Sequence, residues 1–191
     1  NTCVALQELK SKKIIDLKIE EIFRSKYIEK IVVTTPDEEV YKYLEKKNYA
    51  NVNLIKRDKS LARINEDLRK TINNIILNSN YSDFESFITF SLKFPNLKSI
   101  FIDSAIKSMY LFQTDSVISV RPDNNRFFKS SENGLIPITD QQKFSRLERD
   151  DLYRYCGGII LTKVSFFKKC NQFFGGKNGH VIVDQESSKE I

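Results

Sequence analysis

The sequence predicts a three-layer α/β fold, with a mainly parallel sheet held between helices, and three observations carry that expectation. From residue 13 onward, short β-branched runs alternate with amphipathic stretches of helical period. Runs such as "KIVVTT" and "HVIVD" are apolar without alternation, as strands buried on both faces are. The 191 residues are 40% hydrophobic, enough for one substantial core. With no internal repeat, low-complexity segment or linker, residues 1–191 read as one domain.

The elements follow in order. "KKIIDLKIEEIFRS" spaces Ile14, Ile15, Leu17, Ile19, Ile22 and Phe23 as one helical face. "KIVVTT" (30–35) is a strand, and "TPDEEVYKYLEKK" then carries a helix-start signal. There Thr35 is the expected cap, Pro36 the first helical residue and Glu38 the capping-box acid. "VNLIK" (52–56) is the second strand, and "NEDLRKTINNIILN" (65–78) a helix with Leu68, Ile72, Ile75 and Ile76 on one face. "SFITFS" (86–91), the helix "SIFIDSAIKSMYLF" (99–112), and the strands "DSVISVR" (115–121), "GGIILTK" (157–163) and "HVIVD" (180–184) complete the series. "GGKNG" (175–179) precedes a strand rather than a helix, so it reads as a turn and not as a phosphate cradle. A βαβ series ordinarily opens on a strand, yet the first element here is a helix. The opening strand is expected ahead of Asn1.

Composition narrows the function. No stretch approaches the ~18 apolar residues that cross a membrane, and no signal peptide is visible. Cys3, Cys156 and Cys170 form no CxxC pair, which points to a reduced, cytoplasmic protein. His180 is the only histidine, so a multi-histidine metal site is excluded. The net charge of +6 is spread over mixed Lys and Glu, as in "DLKIEEIFRSKYIEK", the pattern of solvated helix faces rather than of a nucleic-acid surface.

In open α/β sheets ligands bind beyond the carboxyl ends of the strands. The residues placed there are Thr34, Thr35, Arg57, Ser91 to Lys93, Arg121 and Asp184. Hydroxyls and at least three cations on one rim suit a phosphorylated or carboxylated ligand. A charged run, "RLERDDLYRY", leads into the fifth strand, with Arg146, Glu148, Arg149, Asp150, Asp151 and Arg154 inside nine positions. A solvated helix, a charged loop at a dimer edge and an anion site all explain it.

"TDSVISVRPDN" (114–124) resembles the strand of the acylneuraminate-type cytidylyltransferases, the family of the CMP-sialic acid synthetases. The order extends over most of the chain. "FPNLKS" (94–99) stands for the family's "PLR"-like turn, and "SKKIIDLKIEEIFRSKYIEKIVVTTPDEEV" resembles its first helix and second strand. "IKRDKSLAR" is similar to its "RP" turn, and "RLERDDLYRYCGGIIL" to the segment ending "Y..NGAIYI". The resemblance implies a Rossmann-like, GT-A-type nucleotidyltransferase fold. It implies a homodimer that uses CTP and Mg²⁺ to convert a sialic-acid-like keto-sugar acid into its CMP-sugar, with release of pyrophosphate.

Carried over by position, Arg57 contacts the cytosine, with Ser91 and Ala5 as further nucleotide contacts. Lys129 and Arg146 hold the sugar carboxylate or the phosphates, where an arginine fork fits a carboxylate. Cys156 and Ile160 replace an Asn and a Tyr of the family's sugar site, so a different acid is expected. Val4 stands near the expected loop lysine, and Glu190 falls at the first acidic position of a metal site whose second position follows Ile191. The alternative is a non-catalytic relative that binds or dimerises. Cys156, Ile160 and Val4 favour it, whereas Arg57, Lys129 and Arg146 count against it. A nucleic-acid module rests on net charge alone.

Overall fold

The computed structural model describes residues 3–62, 66–78, 81, 83–132, 134–138 and 152–191. A single 3₁₀ turn at Val4–Leu6 leads into a two-residue hairpin, β1 (Glu8–Leu9) and β2 (Lys12–Lys13), and then into α1 (Ile14–Phe23). The next elements are β3 (Ile31–Thr35), α2 (Glu38–Lys47), β4 (Val52–Lys56), α3 (Leu68–Asn78), β5 (Ser86–Phe90) and α4 (Ser99–Phe112). After β6 (Ser116–Asp123) come the hairpin β7 (Phe128–Ser131) and β8 (Gly134–Pro137), then β9 (Leu152–Lys163), α5 (Val164–Cys170) and β10 (Asn178–Ile182).

The helices form where the pattern places them because their apolar stripes are what the sheet buries. Ile102, Ala105, Ile106 and Met109 recur at helical spacing along α4, and all four are buried, as are Ile15, Ile19 and Ile22 of α1. Full burial of one such aliphatic side chain is worth roughly 1.5–3 kcal/mol. These stripes meet Val117, Ile159 and Leu161 of the sheet in one core.

Two features depart from expectation. β9 runs antiparallel to both its neighbours, β5 and β6, whereas β10 and β6 are parallel and so are β3 and β4. β9 also begins at Leu152, so "LYRY" is extended and not the end of a charged helix. Among the described residues the long strands form a four-stranded sheet, β10-β6-β9-β5, and a separate pair, β3-β4.

Thr35 is not the cap of α2. Its hydroxyl accepts from the Asp37 amide at 3.1 Å, a local turn that moves the cap two residues on. Asp37 Oδ1 accepts from the amides of Glu39 and Val40, at 2.9 and 3.3 Å. Glu38 and Glu39 add negative charge at the positive end of the helix dipole. Asp37→Ala is expected to cost about 1 kcal/mol in urea unfolding. An unchanged midpoint would assign the helix start to its flanking packing.

Candidate functional site

The site is built at the carboxyl end of β5, where β9 breaks its register. Ile118 pairs with Ile160 and Val120 with Tyr155, so Ser119 alone stands against the stretch from Cys156 to Ile159. Gly157 makes this bulge possible through its φ of +71°. The Ile159 amide would lose its ladder partner there, and Ser119 Oγ, fully buried, accepts it at 3.0 Å. The bulge turns Tyr155, Cys156 and Gly157 toward Ser91 and Phe94 of the segment after β5. Beyond β10, a turn held by the Ser187 amide on Asp184 Oδ1 (2.7 Å) brings in Ser188 and Glu190. Together with Arg154 these residues enclose a cleft of about 540 Å³.

Among the described residues the cleft sets one cation, Arg154, and one carboxylate, Glu190, on a partly apolar wall, with further cations behind it. Lys93 Nζ lies 2.8 Å from Glu190 Oε1, and the Ile191 amide donates to the Lys93 carbonyl at 3.0 Å. Arg121 Nη1 donates to Ser188 Oγ at 3.2 Å. Arg154 Nε is 3.9 Å from Asp123 Oδ2, a loose contact between an exposed guanidinium and a buried carboxylate. Lys98 bridges Asp184 at 2.8 Å and Glu186 at 3.4 Å. Its hydrogen bond, reinforced by the Ser187 amide, pulls the Asp184 carboxyl down to about 2. Burial pushes the Cys156 thiol up, against the opposing pull of Arg154 and Arg121, and burial likewise raises the Tyr155 phenol. Both stay protonated at neutral pH, so Cys156 is a neutral wall and not a thiolate nucleophile.

Lys18 supports the same loop from below, donating to the Phe94 carbonyl at 2.5 Å. Burial lowers its pKa to about 8, opposed by Glu21. Between about pH 8 and the unfolded value of 10.5, the unfolded chain therefore holds a proton that the folded one has lost. Stability then rises with pH, and the penalty of a buried ammonium is fully present below pH 8. The stability of the wild type minus that of Lys18→Met is expected to rise by about 3 kcal/mol between pH 7.5 and 10.5. A flat difference would show that Lys18 titrates as a solvated lysine.

Of the residues singled out in the sequence, Ser91, Cys156 and Glu190 come together in this cleft. Arg57 does not line it. Arg57 follows β4, donates its amide to the Thr35 carbonyl at 2.9 Å, and has a buried Nε with no hydrogen-bond partner among the described residues. Ala5 is packed in the main core. Ile160 sits mid-sheet, opposite Ile118 and Thr89. Lys129 is exposed on β7, opposite Ile136. Arg146, with residues 139–151, lies outside the described residues. Phe94, Tyr155 and Ser188 were not singled out. The Gly157–Gly158 pair was the available signal, because a glycine pair inside a strand marks a bulge.

No family model and no curated protein matches the sequence. Solved structures do match. A 4-diphosphocytidyl-2C-methyl-D-erythritol synthase from Anaerococcus prevotii DSM 20548 is similar with a TM-score of 0.67 at 13% identity, over 96% of this chain and 82% of that one. A CMP:2-keto-3-deoxy-manno-octonic acid synthetase complexed with CTP gives 0.66 at 9% identity, over 94% and 83%. A further 4-diphosphocytidyl-2C-methyl-D-erythritol synthase gives 0.64 at 10% identity, over 96% and 87%. The chain shares the mixed α/β fold of these structures.

Proposed function

We propose that this protein is a CTP-dependent cytidylyltransferase that activates a sialic-acid-like keto-sugar acid to its CMP-sugar. The observation that carries the reading is the convergence of Ser91, Cys156 and Glu190, far apart in sequence, on one cleft at the carboxyl end of the sheet. The fold likeness supports it, since the similar structures are synthases of cytidylyl compounds and one of them holds CTP.

In this reaction a sugar hydroxyl oxygen bonds to the α-phosphorus of CTP, and the bond from that phosphorus to the bridging oxygen breaks to release pyrophosphate. Arg154 holds the phosphates, with Arg121 fixed behind it through Ser188. Their positive charge neutralises what develops on the transferring group, and catalysis of this kind is mostly positioning. Tyr155 and Phe94 offer aromatic surface to the base or the sugar. Because Cys156 and Tyr155 keep their protons, we assign the departing hydroxyl proton to the substrate's own carboxylate.

The resemblance calls for Mg²⁺, which takes oxygen ligands in octahedral geometry, one or two of them from carboxylates and others from substrate phosphates. Among the described residues Glu190 is the one carboxylate lining the cleft, and Lys93 lies 2.8 Å from it. No cluster of three or more potential metal ligands occurs among the described residues. These residues do not fit a resident Mg²⁺ site, and no step is routed through the ion.

A second reading is a non-catalytic relative, favoured by the same Lys93–Glu190 pair at the position the resemblance assigns to metal. Pyrophosphate release distinguishes the two. The full-length protein with CTP, Mg²⁺ and a panel of keto-sugar acids is expected to release pyrophosphate with at least one acid. CTP binding without release across the panel would support the non-catalytic relative. The homodimer belongs to the proposal as well, with the exposed Phe128, Leu135 and Ile136 of the β7–β8 hairpin as its contact, and sedimentation tests it. Cys3, Cys156 and Cys170 are all unpaired, which fits a cytoplasmic setting, and no helix among the described residues is long and apolar enough to cross a membrane.

A further inference from the structure

The loop between β5 and α4 carries Ser91 and Phe94 to the cleft, yet its own backbone bonds are weak. The Phe94 amide donates to the Ser91 carbonyl, and the Leu97 amide to the Phe94 carbonyl, each at 3.4 Å. Both lie at the long end for a hydrogen bond. Nor does α4 secure its own start. Its N-cap residue, Lys98, makes no side-chain cap, and no acidic residue lies in the first turn. One neighbour, α1, makes up both deficits. Lys18 Nζ donates to the Phe94 carbonyl at 2.5 Å, and Glu21 Oε1 accepts from the Ser99 amide at 2.8 Å. We propose that Lys18 and Glu21 are positioning residues of the cleft, which hold the two ends of this loop so that Ser91 and the Phe94 ring meet a bound ligand.

The choice of residue carries the inference. Lys18 is 3% exposed and lies in the buried stripe of α1 with Ile15, Ile19 and Ile22. Burying an ammonium there costs stability, which an apolar side chain in its place would not. A local rule broken beside a cleft belongs to a functional site. Of the bonds to this loop's backbone among the described residues, that from Lys18 is the shortest, and charge-assisted bonds are about twice as strong as neutral ones. Phe94 passes the constraint on. Its carbonyl receives Lys18, and its ring lines the cleft against Gly157 of the bulge.

The other charged groups nearby leave the ammonium to this task. On α1, Asp16 accepts from the hydroxyls of Tyr43 and Tyr49, and Glu20 pairs with Lys12 of the preceding hairpin. Lys93 and Lys98 of the loop pair with Glu190 and Asp184, and Asp103 of α4 accepts from Ser25. Glu21 is the group whose charge acts on Lys18, opposing the burial that lowers its pKa to about 8. As the pH rises through that value the bond to Phe94 loses its charge assistance, and the loop its firmest hold.

For its ligand the inference rests on the proposed function, so its test on the intact full-length protein has two arms. The first needs no ligand. The carbon shift of the Phe94 carbonyl and the amide shifts of Ser91 and Leu97 are expected to titrate together, with a midpoint near pH 8, and to stay flat in Lys18→Met. In Glu21→Gln the midpoint is expected to fall, because the charge that opposes burial is gone. A wild-type signal that stays flat between pH 7 and 10, or a midpoint unmoved by Glu21→Gln, overturns the inference even where CTP binds. These titrations decide the matter without Lys18→Met, should that variant fail to fold.

The second arm is CTP affinity over the same pH range. Lys18→Met is expected to bind CTP about tenfold more weakly at pH 7 although its urea midpoint does not fall, and the wild-type advantage to shrink as the pH rises through 8. Equal affinity of the two proteins at pH 7 would make Lys18 structural and overturn the positioning role. A folded wild type that binds no nucleotide contradicts the proposed function instead, and leaves the first arm to decide this inference.

Discussion

Gly157→Ala is expected to destabilise the protein by about 2 kcal/mol and to weaken ligand binding in the same variant. At its φ of +71° an L side chain is strained, and an added Cβ would stand 2.9 and 3.1 Å from the Phe94 ring. Phe94 is buried, lines the cleft and offers its carbonyl to Lys18, so it cannot yield without moving the loop that carries Ser91 and Lys93. Gly158 provides the contrast. A Cβ there meets Leu97 and Ser119 at 3.6 Å, ordinary van der Waals distance, and no positive φ is involved. Gly158→Ala should therefore stay within about 1 kcal/mol of the wild type. Equal losses at the two positions would remove the bulge from its place in the site.

Arg154→Ala is expected to weaken CTP binding about 30-fold, or about 2 kcal/mol at 1.4 kcal/mol per decade, while leaving stability unchanged. The two effects separate because Arg154 is exposed and its contact with Asp123 is long, at 3.9 Å, while the buried Asp123 carboxylate keeps the Asn125 amide at 2.9 Å. A phosphate taken out of water, in contrast, draws fully on a guanidinium fork. Arg154→Lys should recover part of the loss as a point charge. Isothermal titration and urea unfolding on the same samples read both quantities. A stability loss with unchanged affinity would make Arg154 structural.

Much of this architecture is written locally. "KIVVTT" and "VNLIK" became β3 and β4 because β-branched residues with two apolar faces have one comfortable place in a layered fold. The helix expected at 99–112 was found at Ser99–Phe112, where Gln113 stops it with a left-handed φ of 50°. The cap of α2 was misplaced because Thr35 and Asp37 both satisfy the rule, and only the local Thr35 turn decides between them. β9 was half hidden. Its first residues, "LYRY", are polar because that end of the strand is exposed, and exposed extended chain has no periodic signature. The antiparallel sense of β9 also comes from tertiary pairing alone.

Legibility of the site followed the same division. The ordered resemblance singles out Ser91, Cys156 and Glu190, and the structure places these three around one cleft. Phe94, Tyr155 and Ser188 could not, since their place depends on a bulge and on a turn after β10, both set by contacts distant in sequence. Arg57 and Ala5, expected from the same resemblance as nucleotide contacts, lie after β4 and in the main core, outside this cleft.

The most direct test of the proposed function is calorimetric titration of the full-length protein with CTP, UTP and ATP, each with Mg²⁺, alongside Arg154→Ala. Binding that prefers CTP and weakens in the variant is the expected result. An intact, folded protein that binds none of the three would contradict the nucleotidyltransferase reading and leave the fold in the service of another ligand.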